Sequence, residues 1–420
     1  MQICFLKARE KSNPRDPEAQ RIEKVDIRKR DERIPEAQRG EDVLMEKSLK
    51  TNVLDGLRIS RYDSFADARE AWASVEEKAA GYPFQSYGWL ELWQETLGAA
   101  RGCEPRIVLI ERPESGERVL LPLGVIRKAG LRGLAWLGAP VSDYLGPLLA
   151  GNFSGETLLA AVQEEARLSR CSFIDLENMP ERLADSDPSP MVDSGARRLH
   201  YAAHGLELPS DAEAYFKEKL SSKERYNLRR AEKKLAEIGK LDFAVAETEA
   251  DRLRFTEAMI GQKRARYRAT GATDNFEDAA YERFYREGAR REGLGIHISA
   301  LLLNDEPIAA HWGVCDEKAK TMYFLMPSFD AAYDRFSPGV IFLTRFIQRC
   351  VDSGLRRLDF TVGDEIYKDK WCSDETGLYF FVRGRSLGGL LYAGGMDLVE
   401  RAKSGPLLEV ARSMKKALRR

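Results

Sequence analysis

Two short stretches of the chain concentrate the residue types that do chemistry. One is GDEIYKDKW at 363–371, where Asp364 and Glu365 follow a glycine directly and Lys368 comes three residues later. A carboxylate on such a turn, its pKa raised by burial, would serve as general base toward an amine or hydroxyl. A lysine at a strand end would concentrate positive charge for a phosphate or a carboxylate. The other stretch is RFSPG at 335–339. There Ser337 can cap a helix, Pro338 suits the first helical position, and Gly354 suits the exit from that helix. A strand that passes through a small-residue loop into a helix N-terminus directs unpaired N–H groups outward, a preference for anions. His311, in IAAHWGV, faces opposite to Trp312 and is a second candidate base if it points into a cleft beside Tyr323. His297 alternates on the preceding strand, and His200 and His204 carry no clear role. No Ser/His/Asp order or Cys/His spacing is present, which favours direct transfer over a covalent acyl-enzyme.

These residues need a strand, a helix and a second strand to hold them. TMYFLMPSFD and LRRLDFTVGD read as the strands, and VIFLTRFIQRCVDSG between them reads as a helix with Leu343, Phe346, Ile347, Cys350 and Val351 on one face. Upstream, EPIAAHWGVCDEK forms a hairpin with GIHISALLLND, and EAYFKEKLSSKERYNLRRAEKKLAEIG reads as one helix before the strand LDFAVAE. The first half has a similar order: two amphipathic helices, a hairpin of PRIVLIER with RVLLPLGVIRK, a strand from Leu134 continued by DYLGPLLAG, the helix GETLLAAVQEEARLS and the strand CSFIDLENM. The element order therefore repeats, which points to a tandem α/β protein with a mixed sheet. Its expected parts are a charged disordered leader at 1–52, a first domain at 53–190, a linker at 191–210 around the Pro/Asp/Ser-rich passage, a second domain at 211–385, and a basic tail at 386–420.

Composition narrows the class. A chain of 420 residues with 43% hydrophobic content can bury two cores, and a net charge of −1 argues against a general polyanion binder. Residues 1–52 hold 13 Lys/Arg and 11 Asp/Glu, and Met45 is a candidate translation start. The six cysteines form no CxxC pair, so neither a zinc site nor a disulfide framework is indicated and no metal is expected. No apolar run reaches a membrane-span length, and a cytoplasmic protein, peripheral at most at the inner face of a membrane, is expected. Residues 217–240 hold nine Lys/Arg against four Glu, a solvated face with i,i+4 pairs or an electropositive rim. The terminal RAKSGPLLEVARSMKKALRR carries seven basic residues and one acid.

The order helix, strand, helix pair, three antiparallel strands, helix, strand is that of the GNAT acyltransferase fold. The segment from Leu220 to Lys370, with YNLRRAEKKL, EPIAAHWGV, YDRFSPGVIFL and GDEIYKDKW, resembles the acyltransferase domain of CelD-like proteins of cellulose and exopolysaccharide biosynthesis. That group is similar to the FemAB aminoacyl transferases, which carry two GNAT-like domains in one chain. The resemblance implies acyl-CoA as co-substrate, acetyl-CoA among the options, and a sugar or envelope-precursor acceptor. It implies that Tyr323, Phe324 and Leu325 line the pantetheine arm and that Arg335, Ser337, Pro338 and Gly339 receive the phosphates. Such enzymes commonly show R-x-x-G-x-G/A at this turn, where this chain has RFSPG. YKDKW looks like the F-K-x-x-F phrase of FemAB proteins, which implies that Lys368 faces a substrate phosphate or carboxylate. Two alternatives stand beside acyl-CoA transfer: an aminoacyl-tRNA-dependent transferase, and a non-catalytic scaffold in a polysaccharide synthase assembly.

Overall fold

Apolar strands that alternate with amphipathic helices must stack those helices on a shared sheet, and the chain does so twice. The computed structural model describes residues 52–404 apart from 55, 184–186, 364 and 366. The expected leader, Met45 and the last part of the basic tail lie outside the described residues. The first half runs β1 (Asn52–Leu54), β2 (Leu57–Tyr62), α1 (Phe65–Glu76), α2 (Tyr87–Trp93), β3 (Glu104–Arg112), β4 (Glu117–Lys128) and β5 (Leu131–Trp136). It continues through β6 (Leu148–Ala150), α3 (Gly155–Leu168), β7 (Phe173–Pro180), the short pair β8 (Arg182–Leu183) and β9 (Asp187–Pro188), and β10 (Arg197–Glu207). The second half runs α4 (Ala212–Lys219), α5 (Ser222–Ile238), β11 (Leu241–Val245), α6 (Glu249–Thr270), α7 (Ala279–Arg290), β12 (Ile296–Leu303) and β13 (Glu306–Asp316). It ends with β14 (Thr321–Phe329), α8 (Pro338–Asp352), β15 (Arg357–Val362), α9 (Lys368–Trp371), β16 (Asp374–Gly384) and α10 (Leu387–Lys403).

Local chemistry explains most boundaries. Ser64, Ser154 and Thr248 each accept a hydrogen bond from a first-turn N–H of α1, α3 and α6. The stretch read as one helix over EAYFKEKL and beyond is two, because Leu220 is extended and buried while Ser221 and Glu224 form a reciprocal capping box that opens α5. DYLGPLLAG does not continue β5; only Leu148–Ala150 is strand, and the residues before it form a loop. Ser337 stands at the N-cap of α8 but with φ 52 and no capping bond from its side chain, so Pro338 at the first position sets the start. Gly354 leaves the helix at φ 70, as a left-handed exit requires.

One mixed sheet of 14 strands holds the halves together in the order β1-β2-β3-β4-β5-β7-β16-β10-β15-β14-β13-β12-β11, with β6 on β4. The last strands are exchanged: β10, which follows the first half, pairs with β15 of the second, while β16, which ends the second, pairs with β7 of the first. The stretch expected as a linker at 191–210 therefore contains a strand in the middle of the sheet. A core built from both halves, with Trp72, Phe84, Trp89 and Tyr144 against Phe255, Phe284, Trp312 and Tyr323, lies on one face. Separate cores fill the space under α3 and under α8.

Candidate active site

The two halves share a geometric device. In each, a parallel strand pair is joined over only three positions: Gly133↔Phe173 to Ala135↔Asp175 between β5 and β7, and Thr321↔Arg357 to Tyr323↔Asp359 between β14 and β15. Beyond those registers β14 runs on to Phe329 and β15 to Val362 without pairing to each other, so the sheet opens there. Strand ends that part leave main-chain groups free to meet a ligand or a side chain.

A loop from the first half fills the mouth of this opening. Trp93 donates its indole N–H to the Ala139 carbonyl at 3.0 Å, Trp89 donates to Ser142 Oγ at 2.9 Å, and Gln85 Nε2 donates to the Tyr144 carbonyl at 2.6 Å. The loop so anchored sends the Tyr144 hydroxyl to Asp359 Oδ1 at 2.8 Å and places Asp143 over the end of β15. The Asp143 carboxyl faces Thr361 and Val362 at the end of β15 and the charges of Lys368 and Glu365.

Lys368 is buried, and its ammonium donates to the carbonyls of Thr361 at 3.2 Å and Val362 at 3.0 Å and pairs with Glu365 at 2.9 Å. The short helix α9 that carries it is held by Trp371, whose carbonyl receives the Tyr215 hydroxyl and whose ring packs on Phe216. Lys370 adds an ion pair to Glu224 at the start of α5. Thr361 has φ 57, an unfavourable conformation for a β-branched residue, and its carbonyl serves the Lys368 ammonium while its N–H bonds Asp359 at 2.7 Å. Strain at the residue that bonds both Asp359 and Lys368 marks a place the surrounding structure holds under tension.

Protonation follows from enclosure. Burial raises the Asp143 carboxyl above its ordinary value, against the lowering effect of Thr361, Lys368 and Val362. Lys263 of α6 is pushed down to about 8 by burial and by Arg266, with Lys368 adding to the effect and Glu365 opposing it. Asp143 and Lys263 are both half-buried and densely surrounded by protein. Tyr281 and Tyr285 of α7 feel the charge of Asp143, and burial raises both phenols.

The expected site residues divide. Lys368 and Glu365 meet here, the Glu365 side chain 56% exposed and paired with Lys368. Asp364 lies outside the described residues. His311 does face opposite to Trp312, and its ring is fully buried, stacked on Phe324 at 4.3 Å and edge-on to Phe346 at 4.7 Å. Among the described residues neither ring nitrogen has a hydrogen-bond partner, and burial holds its pKa well below the usual histidine range. His297 lies beside it, lowered to about 4 by burial, and His200 instead bonds Glu400 of α10. Tyr323 points into the shared core with Tyr82, Phe84 and Tyr144, whereas Phe324 points to the opposite face under α8 and Leu325 packs on the shared core. Arg335 is exposed with its guanidinium over Phe336; Ser337 is exposed, Pro338 buried, and Gly339 approaches Phe329 so closely that an added Cβ would lie 3.2 Å from the ring.

Sequence reasoning missed Asp143, Lys263 and Thr361. Only the dense PVSDYLGP run hinted at a structured loop around Asp143. Among the described residues no group of three or more His, Cys, Asp or Glu is arranged to hold a metal ion. A surface cavity of about 400 Å³ lies at the β3–β4 turn beside Ser74, Lys78 and Arg118, and neither Asp143, Lys263 nor Lys368 lines it.

Comparison with known proteins agrees with this geometry. Residues 222–369 match the family model described as acetyltransferase (GNAT) domain. No curated protein matches the chain. Among solved structures, FemX is similar at a TM-score of 0.52 and 12% identity, over 77% of this chain and 97% of that one. A conserved protein of unknown function from Bacteroides thetaiotaomicron is similar at a TM-score of 0.50 and 12% identity, over 77% and 99%. A tandem GNAT protein from the clavulanic acid biosynthesis pathway gives a TM-score of 0.44 at 12% identity, over 79% and 99%. Residues 222–369 are thus similar to the GNAT acetyltransferase domain, within a tandem GNAT-like α/β fold.

Proposed function

We propose that the second half transfers an acyl group from a thioester carrier, acyl-CoA, to an amine or hydroxyl of a polysaccharide or cell-envelope precursor. The observation that carries this reading is the buried Lys368 ammonium on the Thr361 and Val362 carbonyls, facing the enclosed Asp143, at the parted ends of β14 and β15. Asp143, enclosed and raised, takes the proton as the acceptor attacks the thioester carbonyl; the carbon–sulfur bond breaks, and the thiolate that leaves takes up that proton. Lys368 supplies fixed positive charge where the oxyanion develops. The donor phosphates sit at Arg335, Ser337 and Gly339 at the start of α8. In the first half the matching helix start is covered by the chain itself, since a Cβ on Gly155 would lie 1.8 Å from the Pro190 carbonyl oxygen. That supports a single donor site, with the first half shaping the acceptor side. Thioester consumption by wild type, Asp143→Asn and Lys368→Ala tests the reading; equal rates in all three overturn it.

One observation favours a second reading, an aminoacyl-tRNA donor. On α5 the cations of Lys223, Arg229, Arg230, Lys233 and Lys234 are exposed around an exposed Tyr226. Among the described residues none of the five has an ion pair, because Glu224 and Glu232 are engaged by Lys370 and Arg345. Stabilisation against heat by CoA supports the first reading, and salt-sensitive stabilisation by tRNA the second.

A further inference from the structure

Four of the large apolar side chains exposed on this protein lie on one helix. Leu387, Leu390, Leu391 and Leu398 of α10 are 78%, 60%, 73% and 69% exposed. Their spacing places them on a single stripe with Gly394 and Gly395, neither of which has a neighbour that an added Cβ would meet within 4 Å. This stripe is not the exposed side of a loosely held helix. The opposite face is locked to the sheet: Tyr392 stacks on Phe173 at 4.1 Å and bonds Asp175 at 2.6 Å, and Glu400 bonds His200 at 2.8 Å. A Cβ on Gly389 would overlap the Ser172 carbonyl, so the helix lies directly on the backbone beneath it. The leucines are therefore held outward by construction.

Charge decides what covers them. Both acids of α10 are occupied: Asp397 pairs with Arg197 and Arg401, and Glu400 with His200 and Lys403. Arg383 and Arg385 stand exposed just before the helix, and Arg401 is exposed near its end. The sequence that follows, from Gly405 to Arg420, adds Arg412, Lys415, Lys416, Arg419 and Arg420 against the one acid Glu409. An apolar stripe flanked by cations is complementary to an anionic lipid surface, where leucines enter the acyl boundary and cations meet the headgroups.

We propose that α10 docks the protein on anionic membrane surfaces through Leu387, Leu390, Leu391 and Leu398. The site lies on the sheet face over β7 and β10, and it is independent of the transfer chemistry. Flotation of the full chain with phosphatidylcholine vesicles, with and without phosphatidylglycerol, tests it. The wild type floats with the mixed vesicles and not with phosphatidylcholine alone, and Leu390→Glu/Leu391→Glu loses at least tenfold of the bound fraction with an unchanged unfolding midpoint. Absence of flotation by the wild type overturns the proposal. So does full binding by the double variant, which would assign attachment to the basic terminus alone. Light scattering that finds a dimer in the wild type and a monomer in the double variant also overturns it, since the stripe would then be covered by a second copy.

Discussion

The Tyr144 hydroxyl reaches Asp359 Oδ1 at 2.8 Å, tying the loop that carries Asp143 to the strand that carries Thr361. Asp359 also receives the Thr361 N–H and lies 3.7 Å from Arg357, so the loop of one half and the site strand of the other share one buried carboxylate. Burial raises that carboxylate from 3.8 to about 6, with Arg357, Tyr144 and Thr361 opposing. The folded state then holds the proton more tightly than the unfolded chain does, so this group's contribution to stability falls as pH rises from about 4 to about 6.

Replacing Tyr144 with Phe leaves that carboxylate short of a donor. The expected loss is about 2 kcal/mol at pH 7, where Asp359 is charged, and about 1 kcal/mol near pH 4, where it holds a proton. Urea unfolding at the two pH values measures both. An equal loss at each would mean that the phenol acts by packing alone.

His311 gives a prediction of the opposite kind. Its ring nitrogens are buried without partners among the described residues, so exchange for an apolar residue removes an unsatisfied group. His311→Leu is expected to hold or gain about 1 kcal/mol at pH 7 and to keep the wild-type rate within about twofold. Burial lowers the folded pKa below the ordinary 6.5, so the unfolded chain binds the proton first and wild-type stability is lost as pH falls below that value. The variant loses less over the same window. A rate that collapses in a stable His311→Leu protein would return this residue to the chemistry.

How far the residues alone lead is visible at these positions. Hairpins, capped helices and the αβ unit around α8 follow from alternation and end signals, because those rules act over a few residues. The split between α4 and α5 was present in SSKE, an ordinary capping box inside a run that otherwise reads as continuous helix. The exchange of β10 and β16 was not legible, since strand order across a sheet is set by packing between distant segments. The same holds for the site. Lys368 and Glu365 share one turn and could be found together, whereas Asp143 reaches them from more than 200 residues away through a loop that looked like strand. His311 obeyed its alternation, yet alternation says only which face a residue takes, and here that face is an aromatic layer.

Asp143→Asn tests the general base by its pH profile as well as its rate. A carboxylate raised by burial gives the rate an acid limb above the ordinary aspartate range, with activity falling as pH drops through that pKa. Asparagine keeps the size, so the fold is expected to survive. The rate with saturating acceptor should fall by about 10²- to 10⁴-fold, and the acid limb should vanish. A lower rate with an unchanged limb would assign the titration to another group and leave Asp143 a positioning role.

Lys368 separates charge from architecture. Its ammonium satisfies the Thr361 and Val362 carbonyls, so Lys368→Met leaves both without that donor and is expected to cost about 1–3 kcal/mol of stability. If the lysine only braces the turn, a folded Lys368→Met protein assayed well below its unfolding midpoint retains its kcat. If it stabilises developing negative charge, kcat falls by about 10²-fold or more at the same temperature while KM for the thioester changes little. Lys368→Arg discriminates further. It keeps the positive charge, but the planar fork does not fit the place of a compact ammonium between two carbonyls and Glu365. Partial recovery of kcat by arginine, with stability no better than that of the methionine variant, would show that charge at this point, rather than the brace, carries the rate.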